Sequence, residues 1–209
     1  MTAVDRHDTL FGPARTHTTE ADGDLRGTLV LGHGAGGGVE SADLSAVAVG
    51  AATAGWRVIR VEQPWRVAGK RIAPAPPRLD EAWTVVLGRL RDASRLEGPL
   101  VLGGRSAGAR VACRTALAQD AAGVLTLAFP LYPPGRPEKS RAAELTAVAV
   151  PLLVVQGERD AMGRPAEVAA ALAGRATASV YEVPGDHALK RNVEVVAAAA
   201  LFWLTELTA

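Results

Sequence analysis

Short apolar runs alternate along this chain with longer segments in which apolar residues recur at every third or fourth position. The runs predict buried strands at 27–31, 56–61, 100–102, 124–128, 152–155 and 179–183. The longer segments predict helices at 41–54, 79–96, 165–172 and 193–205, and a further helix directly after residue 106. Strands that alternate with helices are typical of a doubly wound α/β fold, in which a mostly parallel sheet carries helices on both faces.

The rest of the chain shows weaker patterns. Residues 1–24 are polar, and they predict at most a short edge strand near 15–19. Residues 63–77 and 130–139 contain several prolines and predict loops. Neither an internal repeat nor a change of composition marks a linker, so we expect residues 1–209 to form a single domain.

Composition narrows the classes of protein that fit this pattern. The 209 residues are 48% hydrophobic and 22% charged, which suits a globular domain with a sizeable core. A net charge of +1, with both signs scattered, makes neither nucleic acid nor an anionic membrane an expected partner. Cys113 is the single cysteine and cannot form an internal disulfide. Because no signal peptide or apolar run long enough to span a bilayer is visible, we expect a cytoplasmic protein.

The motif Gly104-Arg-Ser-Ala-Gly108 follows the predicted strand at 100–102 and precedes a predicted helix. A serine between two glycines at such a junction is typical of a nucleophile elbow, in which the hydroxyl of Ser106 projects over the edge of the sheet. The backbone N–H of Ala107, at the start of the helix, would then face a developing oxyanion. An ordinary turn in a chain with 22 glycines is the competing interpretation of this motif alone.

Predicted strands also precede three other candidate positions, which are the glycine loop 32–38, Asp160 and His187. Because the carboxyl ends of parallel strands meet at one edge of a sheet, we expect these segments and Ser106 to lie together. A serine is a weak nucleophile until a histidine removes its proton and a carboxylate orients that histidine. The sequence therefore predicts a Ser106, His187 and Asp160 arrangement for nucleophilic catalysis.

With these residues in the order serine, acid, histidine, the chain resembles the α/β-hydrolase family over nearly its whole length. The motifs at 33–37, 103–110 and 129–139 are similar to a small, lidless branch related to dienelactone hydrolases and to testis-expressed and histone-acetyltransferase-complex proteins. The resemblance implies a serine hydrolase that cleaves a carboxylic ester of a small acyl substrate, without cofactor or metal. It also implies that the backbone N–H of Ala35 joins that of Ala107 in an oxyanion hole. Residues 131–150 leave little room for a helical lid.

Several residues near these motifs have more than one interpretation. Glu158 could replace Asp160 as the acid, and Asp186 is a weaker contender. His33 is expected to pack the glycine loop through backbone hydrogen bonds. Four cations could either form structural ion pairs or bind a substrate carboxylate: Arg66, Arg105, Arg110 and Lys190.

Two other classes of function also fit parts of the sequence. The segment 32–37 satisfies G-x-G-x-x-G between a strand and a helix, and Glu62 ends the next strand, as in a dinucleotide-binding domain. That interpretation leaves Ser106, Asp160 and His187 unexplained. A non-catalytic interaction protein built on a hydrolase scaffold is the third class, because a fold does not determine a function.

Overall fold

The computed structural model describes residues 2–208 and contains one eight-stranded sheet in the order β1-β2-β4-β3-β5-β6-β7-β8. The strands are β1 Thr2–Thr9, β2 Gly12–Thr19, β3 Gly27–Gly32, β4 Trp56–Glu62, β5 Leu100–Arg105, β6 Gly123–Leu127, β7 Leu152–Gly157 and β8 Ala178–Val183. The helices are α1 Ala42–Thr53, α2 Pro64–Val67, α3 Pro76–Asp92, α4 Ala107–Thr115, α5 Ala142–Thr146, α6 Pro165–Ala171 and α7 Val193–Leu207.

The six strands β3 to β8 are parallel to one another, as the alternation of strands and helices predicts. Their central members are buried on both faces, because side chains alternate across a strand and each face meets helices. Leu29 and Leu31 of β3 pack in the core formed with α1 and α7. Val30, between them, packs in the opposite core, which is formed with α3, α4 and α6. The expected doubly wound fold is confirmed.

The N-terminal segment differs from the prediction of at most a short edge strand near 15–19. Residues 2–19 form a hairpin of two eight-residue strands, in which β1 is the edge and β2 pairs antiparallel with β4. The buried positions of β2 are Ala14, Thr16 and Thr18. Every second residue of β2 is therefore buried, as expected for a strand. These buried residues are small or bear a hydroxyl group, whereas the pattern of a buried strand is usually made by large apolar residues.

Two helices have bounds that the apolar pattern alone does not give. The short helix α2 interrupts the predicted loop at 63–77 and begins at Pro64. The helix α3 begins at Pro76 and ends at Asp92, whereas the prediction was 79–96. A proline in the first helical turn costs little, because its missing N–H has no intrahelical acceptor there. After α3 the chain leaves the helix through Ser94, whose φ is +54°.

The region where a lid could be inserted, between β6 and β7, holds the five-residue helix α5 and an exposed loop over residues 134–140. Glu144 of α5 accepts hydrogen bonds from Arg110 at 2.6 and 2.9 Å and from Arg114 at 3.0 Å. Arg114 also makes two hydrogen bonds to Asp80 of α3. These contacts fasten α5 to α3 and α4, so the segment lies against the domain and does not form a separate cap.

Candidate active site

Four segments meet at the carboxyl edge of the sheet, each directly after a parallel strand. The glycine loop follows β3, Ser106 follows β5, Asp160 follows β7 and His187 follows β8. This convergence is the one that the sequence predicts. Each segment is carried by a strand of the same rigid sheet, so their relative positions are fixed by the strand ladder.

Ser106 has φ +52° and ψ −107°, a conformation that a residue with a side chain rarely adopts. It occupies the turn between β5 and α4, and its own N–H donates to the carbonyl of Leu127 on β6 at 3.0 Å. Gly104 and Gly108 flank it. A Cβ on Gly104 would lie 2.4 Å from the carbonyl oxygen of Gly32, and one on Gly108 would lie 2.2 Å from that same oxygen. Both positions must therefore be glycine for the turn to pack against β3.

The side chains of Ser106, His187 and Asp160 form a continuous chain of hydrogen bonds. His187 Nε2 lies 2.9 Å from Ser106 Oγ, and His187 Nδ1 lies 2.8 Å from Asp160 Oδ2. A carboxylate can only accept, so Nδ1 carries the proton and Nε2 is free to accept from the serine hydroxyl. This is the tautomer in which a histidine can act as a base toward a serine.

Asp160 is 1% exposed, and both of its carboxylate oxygens have partners. Oδ1 accepts the backbone N–H of Met162 at 2.8 Å, and Oδ2 accepts Gln156 Nε2 at 2.9 Å in addition to His187. Gln156 also donates to the carbonyls of Phe129 and Gly163. Sequence reasoning missed Gln156, although a fully buried amide at the end of an otherwise apolar strand indicates a polar contact at that edge.

Glu158 and Asp186 do not reach the histidine ring. Glu158 projects to the surface, where its Oε1 lies 2.6 Å from Arg159 Nη1. Asp186 accepts the backbone N–H of Ala188 at 2.9 Å within its own loop. Of the three candidate acids, Asp160 is the one that the structure brings to His187.

The backbone N–H groups of Ala35 and Ala107 are the two oxyanion donors that the resemblance implies. Ala107 is the first residue of α4, so its N–H has no acceptor within the helix. Within residues 2–208, neither N–H donates to another backbone group outside its own element. Ala35 lines the same cleft as Ser106 and His187. Among the described residues, both N–H groups thus remain available as donors.

His33 is 3% exposed and holds the glycine loop, as expected, through the backbone. Its Nε2 accepts the N–H of Gln63 at 3.1 Å, so Nδ1 bears the proton and donates to the carbonyl of Gly34 at 2.9 Å. Burial lowers the pKa of His33 and so favours this neutral form. In a trans peptide the C=O of Gly34 and the N–H of Ala35 point in opposite directions. A carbonyl held toward His33 therefore directs the Ala35 N–H away from it.

If Ala35 supplies the oxyanion donor that the resemblance implies, replacing His33 with leucine should lower kcat for an ester substrate by about 10²- to 10³-fold, the usual cost of losing one such donor. The physical reason is that the Gly34–Ala35 peptide would be free to rotate once its carbonyl has no partner. KM and the unfolding temperature, measured on the same preparation, separate this effect from general unfolding. His7→Leu is the matched control, because His7 makes a comparable 2.9 Å contact with Thr16 on the N-terminal hairpin. Unchanged kcat in folded His33→Leu protein would contradict the prediction.

Ser106 and His187 line an open cleft of about 820 Å³ whose rim is rich in cations. Arg66 and Lys190 lie on this rim, and among the described residues neither is within 4.0 Å of a carboxylate. Arg105 and Arg110, by contrast, are held in ion pairs with Asp43 and Glu144. Four cations had two possible roles. Arg105 and Arg110 form ion pairs within the fold, whereas Arg66 and Lys190 face the cleft, and among the described residues neither has a carboxylate partner.

The glycine loop 32–38 turns toward this cleft. The carboxylate of Glu62, at the end of β4, already has side-chain partners. Glu62 Oε2 lies 3.5 Å from His17 Nε2 and 4.0 Å from Arg15 Nη1. In the part of the chain that the structure describes, no group of three or more His, Cys, Asp or Glu side chains is arranged to hold a metal ion. Nor, over those residues, is any helix both long and apolar enough to cross a membrane.

Known proteins share this architecture. No curated protein matches the sequence. An alpha-beta serine hydrolase homologue from Coxiella burnetii has a TM-score of 0.82 at 17% identity, with 97% of each chain covered. A serine hydrolase without lid from Xanthomonas campestris has a TM-score of 0.80 at 20% identity, with 98% of this chain and 94% of that chain covered. Est1E from Butyrivibrio proteoclasticus has a TM-score of 0.79 at 13% identity, with 98% of each chain covered.

At these identities the solved structures show a shared fold, and a sequence match supplies the family. A family model described as an alpha/beta hydrolase domain matches residues 25–199. The matched range runs from the residues just before β3 into α7 and includes the elbow, Asp160 and His187. The chain belongs to the α/β-hydrolase family.

Proposed function

We propose that this protein is a serine hydrolase that cleaves a carboxylic ester, or a related acyl bond, with Ser106, His187 and Asp160 as its catalytic triad. The observation that carries the proposal is the 2.9 Å separation between His187 Nε2 and Ser106 Oγ, in a tautomer fixed by Asp160. The family match and the names of the structural neighbours, a serine hydrolase homologue and a lidless serine hydrolase, support the same class of reaction.

Acylation would begin when Ser106 Oγ attacks the carbonyl carbon of the substrate and its proton passes to His187 Nε2. The resulting oxyanion would accept hydrogen bonds from the N–H groups of Ala35 and Ala107. Asp160 would stabilise the imidazolium that forms. As the carbon–oxygen bond to the alcohol breaks, His187 returns the proton to the departing oxygen, which leaves an acyl-enzyme on Ser106.

Deacylation would repeat these steps with water in place of the serine hydroxyl. His187 removes a proton from the water as its oxygen attacks the acyl carbon, and the same two N–H groups hold the second oxyanion. The bond between the acyl carbon and Ser106 Oγ then breaks, and His187 returns the proton to the serine. The open cleft gives water direct access to this intermediate, since α5 does not cover it.

Labelling with a fluorophosphonate should modify Ser106 and no other serine. The reagent forms a phosphorus–oxygen bond with an activated serine and releases fluoride, so it requires the base and the oxyanion donors that we propose. Peptide mapping identifies the labelled residue, and heat-denatured protein is the control. Labelling at Ser41 or Ser140, or none in folded protein, would favour the non-catalytic interaction protein. A nicotinamide fluorescence change on adding NADH would instead favour dinucleotide binding.

Esters that carry a negative charge should be better substrates than neutral esters of the same length. Arg66 and Lys190 line the cleft without a carboxylate partner, and an exposed ion pair contributes up to about 1 kcal/mol, or about fivefold. We expect kcat/KM for the p-nitrophenyl monoester of succinic acid to exceed that for p-nitrophenyl butyrate by a few-fold. The preference should fall with rising salt concentration, because the cations are solvent-exposed.

Arg66→Gln should reduce the preference for the charged ester and leave turnover of the neutral ester nearly unchanged. Arg71→Gln is the matched control, since Arg71 is exposed and does not line the cleft with Ser106. Equal kcat/KM for the two esters, at low and high salt alike, would show that the unpaired cations do not select the substrate.

A further inference from the structure

Arg105 connects more parts of the site than any other cation described above. It is the last residue of β5 and directly precedes Ser106. Although it is cationic, its side chain is only 11% exposed. Such burial requires partners for the guanidinium, and those partners lie on three separate segments of the active-site edge.

The first partner is Asp43 in the first turn of α1, whose Oδ2 lies 2.8 Å from Arg105 Nε. The second is the backbone carbonyl of His187, which accepts from Arg105 Nη2 at 2.7 Å. The glycine loop is a third neighbour, which packs beside the guanidinium without bonding to it: a Cβ built on Gly34 would lie 2.9 Å from Arg105 Nη1. One planar guanidinium therefore contacts α1, the histidine loop and the loop that carries Ala35.

Within residues 2–208, the carbonyl of His187 has no backbone partner of its own. In the part of the chain that the structure describes, no backbone N–H outside the helices and strands donates to the carbonyl of His187. Leu189 and Asn192, which follow in the same loop, both have positive φ, at +46° and +54°. The loop is therefore irregular. The buried side chain of Leu189 and a hydrogen bond from the Arg159 N–H to the carbonyl of Gly185 hold its two sides, and Arg105 adds the hydrogen bond at His187 itself.

We propose that Arg105 is a positioning residue, which fixes the backbone of His187 so that its imidazole lies between Ser106 and Asp160. This inference rests on the proposed function, since it assigns a role within the same triad. Arg105 contacts the carbonyl of His187 and not its ring, so it acts through the histidine.

Asp43 supports Arg105 from outside the cleft. It is 1% exposed and does not line the cleft, so it cannot touch a substrate. Burial raises the pKa of Asp43, and the Arg105 guanidinium opposes that rise. The carboxylate lies beside Nε of Arg105 and balances the buried charge of the guanidinium. The planar fork of arginine serves all three contacts at once, whereas a lysine ammonium is a single point charge on a flexible stem.

Two substitutions test the role of this fork. Arg105→Lys keeps the charge that faces Asp43 but loses the fixed fork, and Asp43→Asn removes the anchor without touching the cleft. We expect each to lower kcat by about 10- to 100-fold with little change in KM, the size of effect that a displacement of about 1 Å produces. Arg110→Lys is the matched control, because Arg110 makes a similar two-bond pair with Glu144 away from the triad.

A second readout does not depend on turnover. Two-bond ¹H–¹⁵N correlation spectra distinguish the neutral tautomers of His187, and the wild-type ring should be protonated at Nδ1. Both test variants should show a mixture of tautomers, while Arg110→Lys should match the wild type. Unfolding temperatures are measured for all four proteins.

Two results would overturn the inference. The first is wild-type kcat and tautomer in folded Arg105→Lys and Asp43→Asn. The second is an equal loss in the Arg110→Lys control, which would show a general effect on stability. If the wild type hydrolyses no ester, the proposed function fails, and the tautomer spectra still decide whether Arg105 positions His187.

Discussion

Replacing Ser106 with alanine should lower kcat for a short p-nitrophenyl ester by about 10⁶-fold, and replacing His187 with alanine should have a similar effect. The losses should be similar because the two residues act as a unit: a serine without its base is a weak nucleophile, and a base without its nucleophile has no proton to remove. Initial rates at saturating ester measure both variants. The double variant should lose no more than either single variant.

The fold should survive both substitutions. Ser106 has a strained backbone, but its side chain contacts only His187 among the hydrogen bonds described, and His187 is half-buried at the rim of the cleft. Near-ultraviolet circular dichroism and the unfolding temperature check this point. If His187→Ala retained near-wild-type turnover, the base would have to be another residue and the proposed mechanism would be wrong.

Replacing Asp160 with asparagine should lower kcat by about 10⁴-fold, the second largest effect that we expect. The asparagine amide can present its NH2 group to His187 Nδ1, which then favours protonation at Nε2. A ring protonated at Nε2 cannot accept the proton of Ser106. The amide oxygen still accepts from the Met162 N–H, and Gln156, which loses its contact with Oδ2, keeps the carbonyls of Phe129 and Gly163 as acceptors.

Glu158→Gln is the control for this prediction, and it should change kcat by less than about twofold, as is usual for a surface substitution. The two carboxylates lie two positions apart, but Glu158 pairs with Arg159 at the surface. The same ester and the same pH are used for both variants. A severe loss confined to Glu158→Gln would overturn the assignment of Asp160 as the acid.

The core of the fold was predictable because its signals are local. The buried strands of a parallel sheet are short apolar runs, and each run fixes a strand within a few residues. The hairpin at 2–19 was missed because Thr16 and Thr18, rather than large apolar residues, occupy its buried positions. The β1 strand adds no apolar signal, since its described residues are exposed or half-buried.

The candidate site was predictable to the extent that each residue follows a strand. Glu158 and Asp160 are two positions apart, so in an extended strand both side chains would lie on the same face, and the strand pattern alone does not choose between them. The structure separates them by a turn at 157–160, closed by the Asp160 N–H and the Gly157 carbonyl at 3.0 Å. The role of Arg105 depends on Asp43 and His187, which are far away in the sequence, so no local pattern reveals it.

The contact between Gly32 and α4 limits how this enzyme can evolve. A Cβ on Gly108 would lie 2.2 Å from Gly32 O and 2.8 Å from Gly32 Cα, so the two backbones touch with no side chain between them. The base of the glycine loop and the helix that follows Ser106 therefore move as one rigid body. Mutations cannot adjust the spacing between Ser106 and Ala35 by changing a side chain there. Adaptation to a new substrate must come from the rim of the cleft, where Gly36 and Gly37 border open space and admit larger residues without collision.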